Sequence, residues 1–248
     1  MPLLWALHLH LSDGYKQGFL FTGQPSRLPG NVVAKVIRYT GRTVVDLVKC
    51  AMTSQQEETV LKRLCYANII SLEVFDGRLP AIYVHCLPGS LSRGEETPFA
   101  LHEARRILRN VTSTLAYLTT RRIVHNDIKP ADIPSSPENG AILLDFGLAT
   151  ASDAPVKLDG TPLGAPGHVW ALAITMLYVC EKTKMPEHTS KDWLIRDVVD
   201  KSIGARLQMM KWLEAVGQER ERLQSADVVE DLVYKMLDLI ATSRIDAV

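Results

Sequence analysis

Two short stretches decide how this chain is read: Ile123-Val124-His125-Asn126-Asp127-Ile128-Lys129-Pro130-Ala131-Asp132, and Leu143-Leu144-Asp145-Phe146-Gly147-Leu148-Ala149. Each runs from an apolar pair into a polar turn that carries carboxylates. The residues between them suit a short β-hairpin. Taken singly, each could be an unrelated polar turn with buried carboxylates. Taken together, in this order and at this separation, they make a specific joint pattern.

Working outward, the chain changes character on either side of a linker near residues 86–98. Upstream it reads as β with a helical interruption. Leu7, Leu9 and Leu11 alternate with His8 and His10, which predicts a first strand. Gly18 to Thr22 and Asn31 to Arg38 follow as strands, divided by a Gly/Pro-rich turn. Thr43 to Ala51 and Ser54 to Leu64 predict two helices. Ile69 to Phe75 and Ala81 to Cys86 predict a strand pair turned at Asp76-Gly77. Downstream the pattern is helical. Ala104, Ile107, Leu108, Val111, Leu115 and Leu118 form one stripe on a helix from Phe99 to Thr120. Further helices are predicted at Trp170 to Glu181, Trp193 to Lys201, Ala205 to Glu214 and Val228 to Ile240. The fold class expected is α+β. It has a β-rich lobe over about residues 1–86 and a mostly helical lobe over about 87–248, in one bilobal domain with a cleft between the lobes.

In this setting the two stretches resemble the eukaryotic-type protein kinases. The first is similar to that family's catalytic loop, H-R-D-x-K-P-x-N, and the second to its D-F-G-L-A. The resemblance implies a bilobal kinase-like fold and phosphoryl transfer from ATP with Mg²⁺. Such transfer asks a protein for positioning and charge stabilisation more than for covalent work. Asp127 is then the carboxylate that orients a hydroxyl and accepts its proton. Lys129 is the cation beside the transferred group, and Asp145 is a Mg²⁺ ligand. Asp132 stands where the family has asparagine and can still ligate Mg²⁺ through oxygen. Upstream, Val32-Val33-Ala34-Lys35 is similar to the strand bearing the ATP-anchoring lysine, which implies that role for Lys35. A lysine ending an apolar strand is otherwise usually a snorkelling surface residue. The stretch from Glu57 to Ile70 is similar to E-x-x-x-L-x-x-L-x-H-P-N-I and selects Glu57 as the partner of Lys35. Val84 to Leu91 resembles the segment between the lobes where backbone contacts adenine. Val84 and Cys86 would flank the base there, under a roof of Leu20 and Val33. Lys129-Pro130 after Asp127 is the serine/threonine pattern, which implies Ser/Thr hydroxyls on a protein as the substrate.

The chain also departs from that family. The glycine-rich phosphate loop is poor: Gly14 and Gly18 are present, but Asp13 and Tyr15 stand where glycines belong. Asn126 replaces the arginine that pairs with a phosphate on the activation segment, so activity should not need that phosphorylation. Gly160-Thr161-Pro162 matches G-T-P, but Gly167 stands where a glutamate is expected, and Arg244 is left as its former partner. The segment is shortened. His168 replaces an aspartate before Val169-Trp170 and is read as an N-terminal polar residue of a helix, with no catalytic role. These departures support an alternative: a pseudokinase serving as a nucleotide-binding or scaffold protein. A kinase-like enzyme acting on a small molecule ranks third.

Composition fits a globular chain. Of its 248 residues, 46% are apolar and 23% charged, and the formal net charge is zero, which points to neither a nucleic-acid nor a membrane-surface partner. Cys50, Cys65, Cys86 and Cys180 match no zinc spacing and read as free thiols in a reducing compartment. Met1 to Leu11 lacks the basic start of a signal peptide, and the longest apolar run, Val169 to Cys180, is too short to span a bilayer. A cytoplasmic protein, with the nucleus as a second compartment, is the expectation.

Overall fold

A computed structural model of the chain describes residues 5–8, 18–25, 31–37, 43–78, 80–151, 165–189, 198, 202–223 and 227–238. The valine-, isoleucine- and phenylalanine-rich segments of the first lobe pair as strands. These are β1 (Trp5–His8), β2 (Gly18–Pro25), β3 (Val32–Ile37), β4 (Leu72–Asp76) and β5 (Ala81–His85). They build one antiparallel sheet in the order β1-β2-β3-β5-β4.

Register decides which face carries chemistry. Lys35 is paired with Leu20 on β2 and Ile82 on β5, and Val33 with Val84. Paired residues and alternate residues share a face of a pleated sheet. Val33, Lys35, Ile82 and Val84 therefore lie on one face, and Ile82 and Val84 join the main core. Ala34, Ala81 and Tyr83 face the other way and cluster with Val36 and Val74.

Helix α1 (Val44–Leu61) is a single helix where two are predicted. Ser54 does not break it, because the residue is buried and its hydroxyl donates to the Pro80 carbonyl at 3.0 Å. The hydroxyl therefore finds a tertiary partner and does not compete for the helix backbone. The predicted strand at Ile69 begins only at Leu72. Before it, Leu143 N–H donates to Asn68 O at 2.9 Å and Ile70 N–H to Leu143 O at 3.1 Å. The first residues of the predicted strand thus bond to the second lobe.

That lobe is organised by α2 (Leu101–Thr120) and α3 (Ala165–Val179). On α2 the buried residues are Ala104, Ile107, Leu108, Val111, Thr114, Leu115 and Leu118, the stripe expected from the sequence plus one threonine. Helix α3 is apolar nearly all round, as suits a helix enclosed by others. It starts earlier than predicted. Pro166 lies in its first turn, where a missing N–H breaks no helical bond. Gly167, which stands where a glutamate is expected, is inside that turn. Helices α4 (Ile203–Arg222) and α5 (Val228–Met236) pack outside it, with Asp227 capping α5 by accepting from Val229 N–H at 2.8 Å. Three two-residue strands, β6 (Ile123–Val124), β7 (Ser135–Ser136) and β8 (Gly140–Ala141), carry the chain between α2 and the second motif, and β9 (Thr150–Ala151) pairs with β6. Gly140 turns the β7–β8 hairpin at φ 71°, where a Cβ would stand 2.5 Å from Asn110 Oδ1. Most of the predicted Trp193 to Lys201 helix lies outside the described residues, as do Gly160-Thr161-Pro162 and Arg244. The fold is the expected α+β arrangement of a β-sheet lobe and a helical lobe. Among the described residues no helix is long and apolar enough to cross a membrane.

Candidate active site

The site is assembled where β3, α1 and the Asp145 turn meet. Lys35 Nζ donates to Glu57 Oε1 at 3.0 Å and Oε2 at 2.8 Å, and to Asp145 Oδ1 at 2.6 Å. These side chains are only 17%, 4% and 16% exposed, so the ion pairs are shielded from water. Burial disfavours the Lys35 charge, but Glu57 and Asp145 outweigh it and hold the ammonium above its ordinary value. Burial likewise lifts Asp145, yet the Lys35 charge and its hydrogen bond hold that carboxyl below its usual range. Asp145 adopts φ 56°, ψ 71°, in the left-handed region, and accepts from Gly147 N–H at 3.3 Å. That conformation aims its carboxylate at Lys35. A Cβ on Gly147 would lie 3.3 Å from both Asp145 Oδ1 and Glu57 Oε2, so only glycine leaves the cluster uncrowded.

The strand pair β6–β9 delivers the other half. Lys129 Nζ bridges Asp127 Oδ2 at 2.5 Å and Asp132 Oδ2 at 3.1 Å. Asp132 is almost fully enclosed in the turn that begins at Pro130. Burial, reinforced by the Asp145 charge, pushes its carboxyl up to about 7 against the pull of Lys129. Burial lowers Lys129, but Asp132 and Asp127 hold it above its ordinary value. One carboxylate oxygen from each of Asp127, Asp132 and Asp145 lies within 4.8 Å of the others.

Beneath this surface sits a layer of neutral groups. Phe146 is fully buried, with its ring edge-on to His125 at 4.6 Å between centroids. His125 is also buried. Its Nδ1 accepts from Asp127 N–H at 3.3 Å, and its Nε2 bonds Leu144 O at 2.7 Å. Since a carbonyl only accepts, the ring carries its proton on Nε2. Burial depresses its affinity for a second proton. Asn126, at φ 68°, sends its side-chain amide to Leu148 O at 3.0 Å and Thr150 Oγ1 at 2.9 Å. It thereby ties the loop before Asp127 to the segment after Gly147 without a phosphate. His168 stands near the N-terminus of α3, as the sequence suggests, but it is enclosed. It is 5% exposed, and its Nε2 faces the His125 N–H at 2.6 Å. The signal available for it in the sequence was its position: a polar residue opening an apolar helix where the resembled family has an acceptor.

The remaining predicted residues are strand residues. Val33 and Val84 face one another on the Lys35 face, and Leu20 is paired with Lys35 in the register, two residues from Gly18. Cys86 N–H donates to Asn31 O at 2.9 Å. That donor is committed to the sheet, so a backbone contact from Cys86 to a base would come from its carbonyl. Gly14 lies outside the described residues.

A β-sheet lobe and a helical lobe with a Lys–Glu–Asp cluster between them define the protein kinase class. The protein kinase domain family matches residues 30–248, and the chain belongs to it. The chain is 33% identical over 115 residues to the mitogen-activated protein kinase kinase kinase YODA of Arabidopsis thaliana, covering 43% of this chain and 13% of that protein. It is 30% identical over 126 residues to the serine/threonine-protein kinase PLK4 of Drosophila grimshawi, covering 46% and 16%. It is 33% identical over 113 residues to cyclin-dependent kinase 10 of Rattus norvegicus, covering 43% and 32%. The chain thus spans less than a third of the length of each of these relatives.

Proposed function

We propose that this chain transfers the γ-phosphoryl group of ATP, with Mg²⁺, to serine or threonine hydroxyls of a protein substrate. One observation carries the reading: Lys35 is held between Glu57 and Asp145, within the same cleft face as the Asp127–Lys129–Asp132 cluster. Lys35, kept charged and fixed by Glu57, serves as an anchor for phosphate oxygens. Asp127 accepts the hydroxyl proton as the hydroxyl oxygen forms its bond to phosphorus and the bond to the ADP oxygen breaks. Lys129, beside Asp127, offsets charge on the transferred group.

The residues fit the metal. Asp145 and Asp132 offer hard oxygen donors, as Mg²⁺ prefers, and with Asp127 they bring one carboxylate oxygen each within 4.8 Å of one another. Bound there, Mg²⁺ supplies neutralisation of the phosphate charge. Val33, Val84 and Leu20 are assigned to the base, with the Cys86 backbone at its edge and Gly14 and Gly18 in the phosphate loop. The serine/threonine preference rests on Lys129-Pro130 and on similarity to serine/threonine-protein kinases such as PLK4.

The test is incubation of the purified chain with Mg²⁺, labelled ATP and a generic protein substrate, beside Asp127→Asn and Lys35→Met. Transfer by the parent that is lost in both variants is expected. Transfer persisting unchanged in both refutes the assignment. No transfer, with ATP still raising the melting temperature, identifies a pseudokinase.

A further inference from the structure

We infer that His168 is a positioning residue of the catalytic loop, acting as a neutral imidazole whose Nε2 lone pair receives the His125 N–H. The inference rests on the reading of Asp127 given above, but its geometry stands apart from that reading.

The two backbone N–H groups at His125 and Asn126 converge on one atom. His168 Nε2 lies 2.6 Å from the first and 3.4 Å from the second. Both donors are backbone amides, so the bond exists only if Nε2 is bare. A neutral ring then carries its proton on Nδ1. Helix α3 brings this acceptor from 43 residues away along the chain, into a place where the ring is 5% exposed.

The loop needs such an anchor. Asn126 sits at φ 68°, a conformation that non-glycine residues hold only where their surroundings impose it. The next residue is Asp127. Its own N–H runs to His125 Nδ1, and the far side of that ring reaches Leu144 O, one residue before Asp145. Two neutral imidazoles thus connect α3 to the backbone of both carboxylates assigned to the chemistry. Burial, with His125 as the titratable group pressing on it, pushes the His168 pKa down to about 4, which keeps the lone pair free near neutrality. A ring that merely filled space would need no bare nitrogen and no tautomer.

The experiment uses the full chain with His168→Gln, which keeps an acceptor near the Nε2 position, and His168→Leu, which keeps bulk and removes it. Long-range nitrogen–proton spectra of the parent near pH 7 should show His168 protonated on Nδ1 alone. Amide hydrogen exchange at His125 should be roughly tenfold faster in His168→Leu, the scale of one lost buried hydrogen bond, and close to parent in His168→Gln. Where the parent transfers phosphate, kcat should fall in His168→Leu with the KM for ATP unchanged, and recover in His168→Gln. A His168 ring protonated on Nε2, or equal His125 exchange in parent and His168→Leu, overturns the inference. If His168→Leu does not fold, the parent's ring spectrum decides alone. An inactive parent refutes the kinase reading and leaves the exchange and ring measurements to settle His168.

Discussion

Lys35→Met tests the energetic logic of the site most directly. The methionine keeps the length and the apolar stem but removes the cation between two carboxylates. In the parent, Lys35 lies 2.8 Å from Glu57 Oε2 and 2.6 Å from Asp145 Oδ1, with Glu57 4% exposed. Removing one partner of a buried pair leaves an uncompensated charge, at about 3–5 kcal/mol. For a chain of this size that is a fall in melting temperature of roughly 6–20 °C. The loss should depend on pH in a defined direction. In the parent, Asp145 is held below its unfolded value, so its contribution is present above the unfolded pKa and lost as pH falls through the folded one. In the variant, Glu57 and Asp145 repel each other unscreened, and their pKa values rise. The folded variant then binds the extra proton, so its stability falls as pH rises from the acid side. The gap between parent and variant should be widest near pH 7.5 and should narrow toward pH 5. A second substitution, Glu57→Gln, removes one stranded charge and should recover about half the loss. The assay is calorimetric unfolding of all three proteins at both pH values. A Lys35→Met protein as stable as the parent at pH 7.5, or a double variant less stable than the single one, refutes the reasoning.

Gly147→Ala places a Cβ 3.3 Å from oxygens of both Glu57 and Asp145; transfer should fall at least roughly tenfold in a steady-state assay while the fold persists, since no core contact is removed. Asn126→Ala removes the bonds to Leu148 O and Thr150 Oγ1 and leaves alanine at φ 68°, so urea unfolding should report a loss of about 1–3 kcal/mol. Asn126→Gly, which loses the bonds but relieves the backbone, should be destabilised less. Buried His168 titrates near 4 when folded and near 6.5 when unfolded, so protons favour the unfolded chain between those values. Stability should fall by up to about 3 kcal/mol from this group as pH drops from 6.5 to 4, and His168→Gln should flatten that limb in urea titrations.

Much of the site is legible in the sequence because the chemistry dictates residue types over a short span. Asp127, Lys129 and Asp132 stand within six residues of one another, and Asp145 follows an apolar strand signal. The structure brings these together. Lys35 and Glu57 are less legible, since a lysine on a strand and a glutamate on a helix are ordinary surface residues until the lobes close over them. What periodicity misreads, tertiary contacts explain. Ser54 reads as a helix boundary until its hydroxyl meets Pro80 O, and Ile69-Ile70 reads as a strand until Leu143 pairs across from the other lobe. The hinge-like segment is misleading in a different way. Cys86 is expected from the sequence to offer its backbone to a base, but its N–H is taken by Asn31, fifty-five positions earlier, which no residue letter records.

Asn126 and His168 escape sequence reasoning for one shared reason: each acts through backbone groups whose identity no residue letter records. The resembled family uses a charged residue at each place, an arginine and an aspartate. Here both charges are gone, and in isolation each change reads as damage. The structure shows two neutral replacements that work at opposite sides of the same loop. The Asn126 amide donates outward, to Leu148 O and Thr150 Oγ1. The His168 ring accepts from below, at the His125 N–H. One positive and one negative charge are lost at these two places, so the pair of changes leaves net charge alone, whereas Asp132 adds a negative charge where the family has asparagine; the loop itself is held here by neutral bonds. Neutral bonds of this kind are weaker than charge-assisted ones but are little affected by salt. The loop's order therefore rests on enclosure, with His168 and His125 both buried, and any change that lets water reach α3's first turn should loosen Asp127 before it disturbs Lys35 or Glu57.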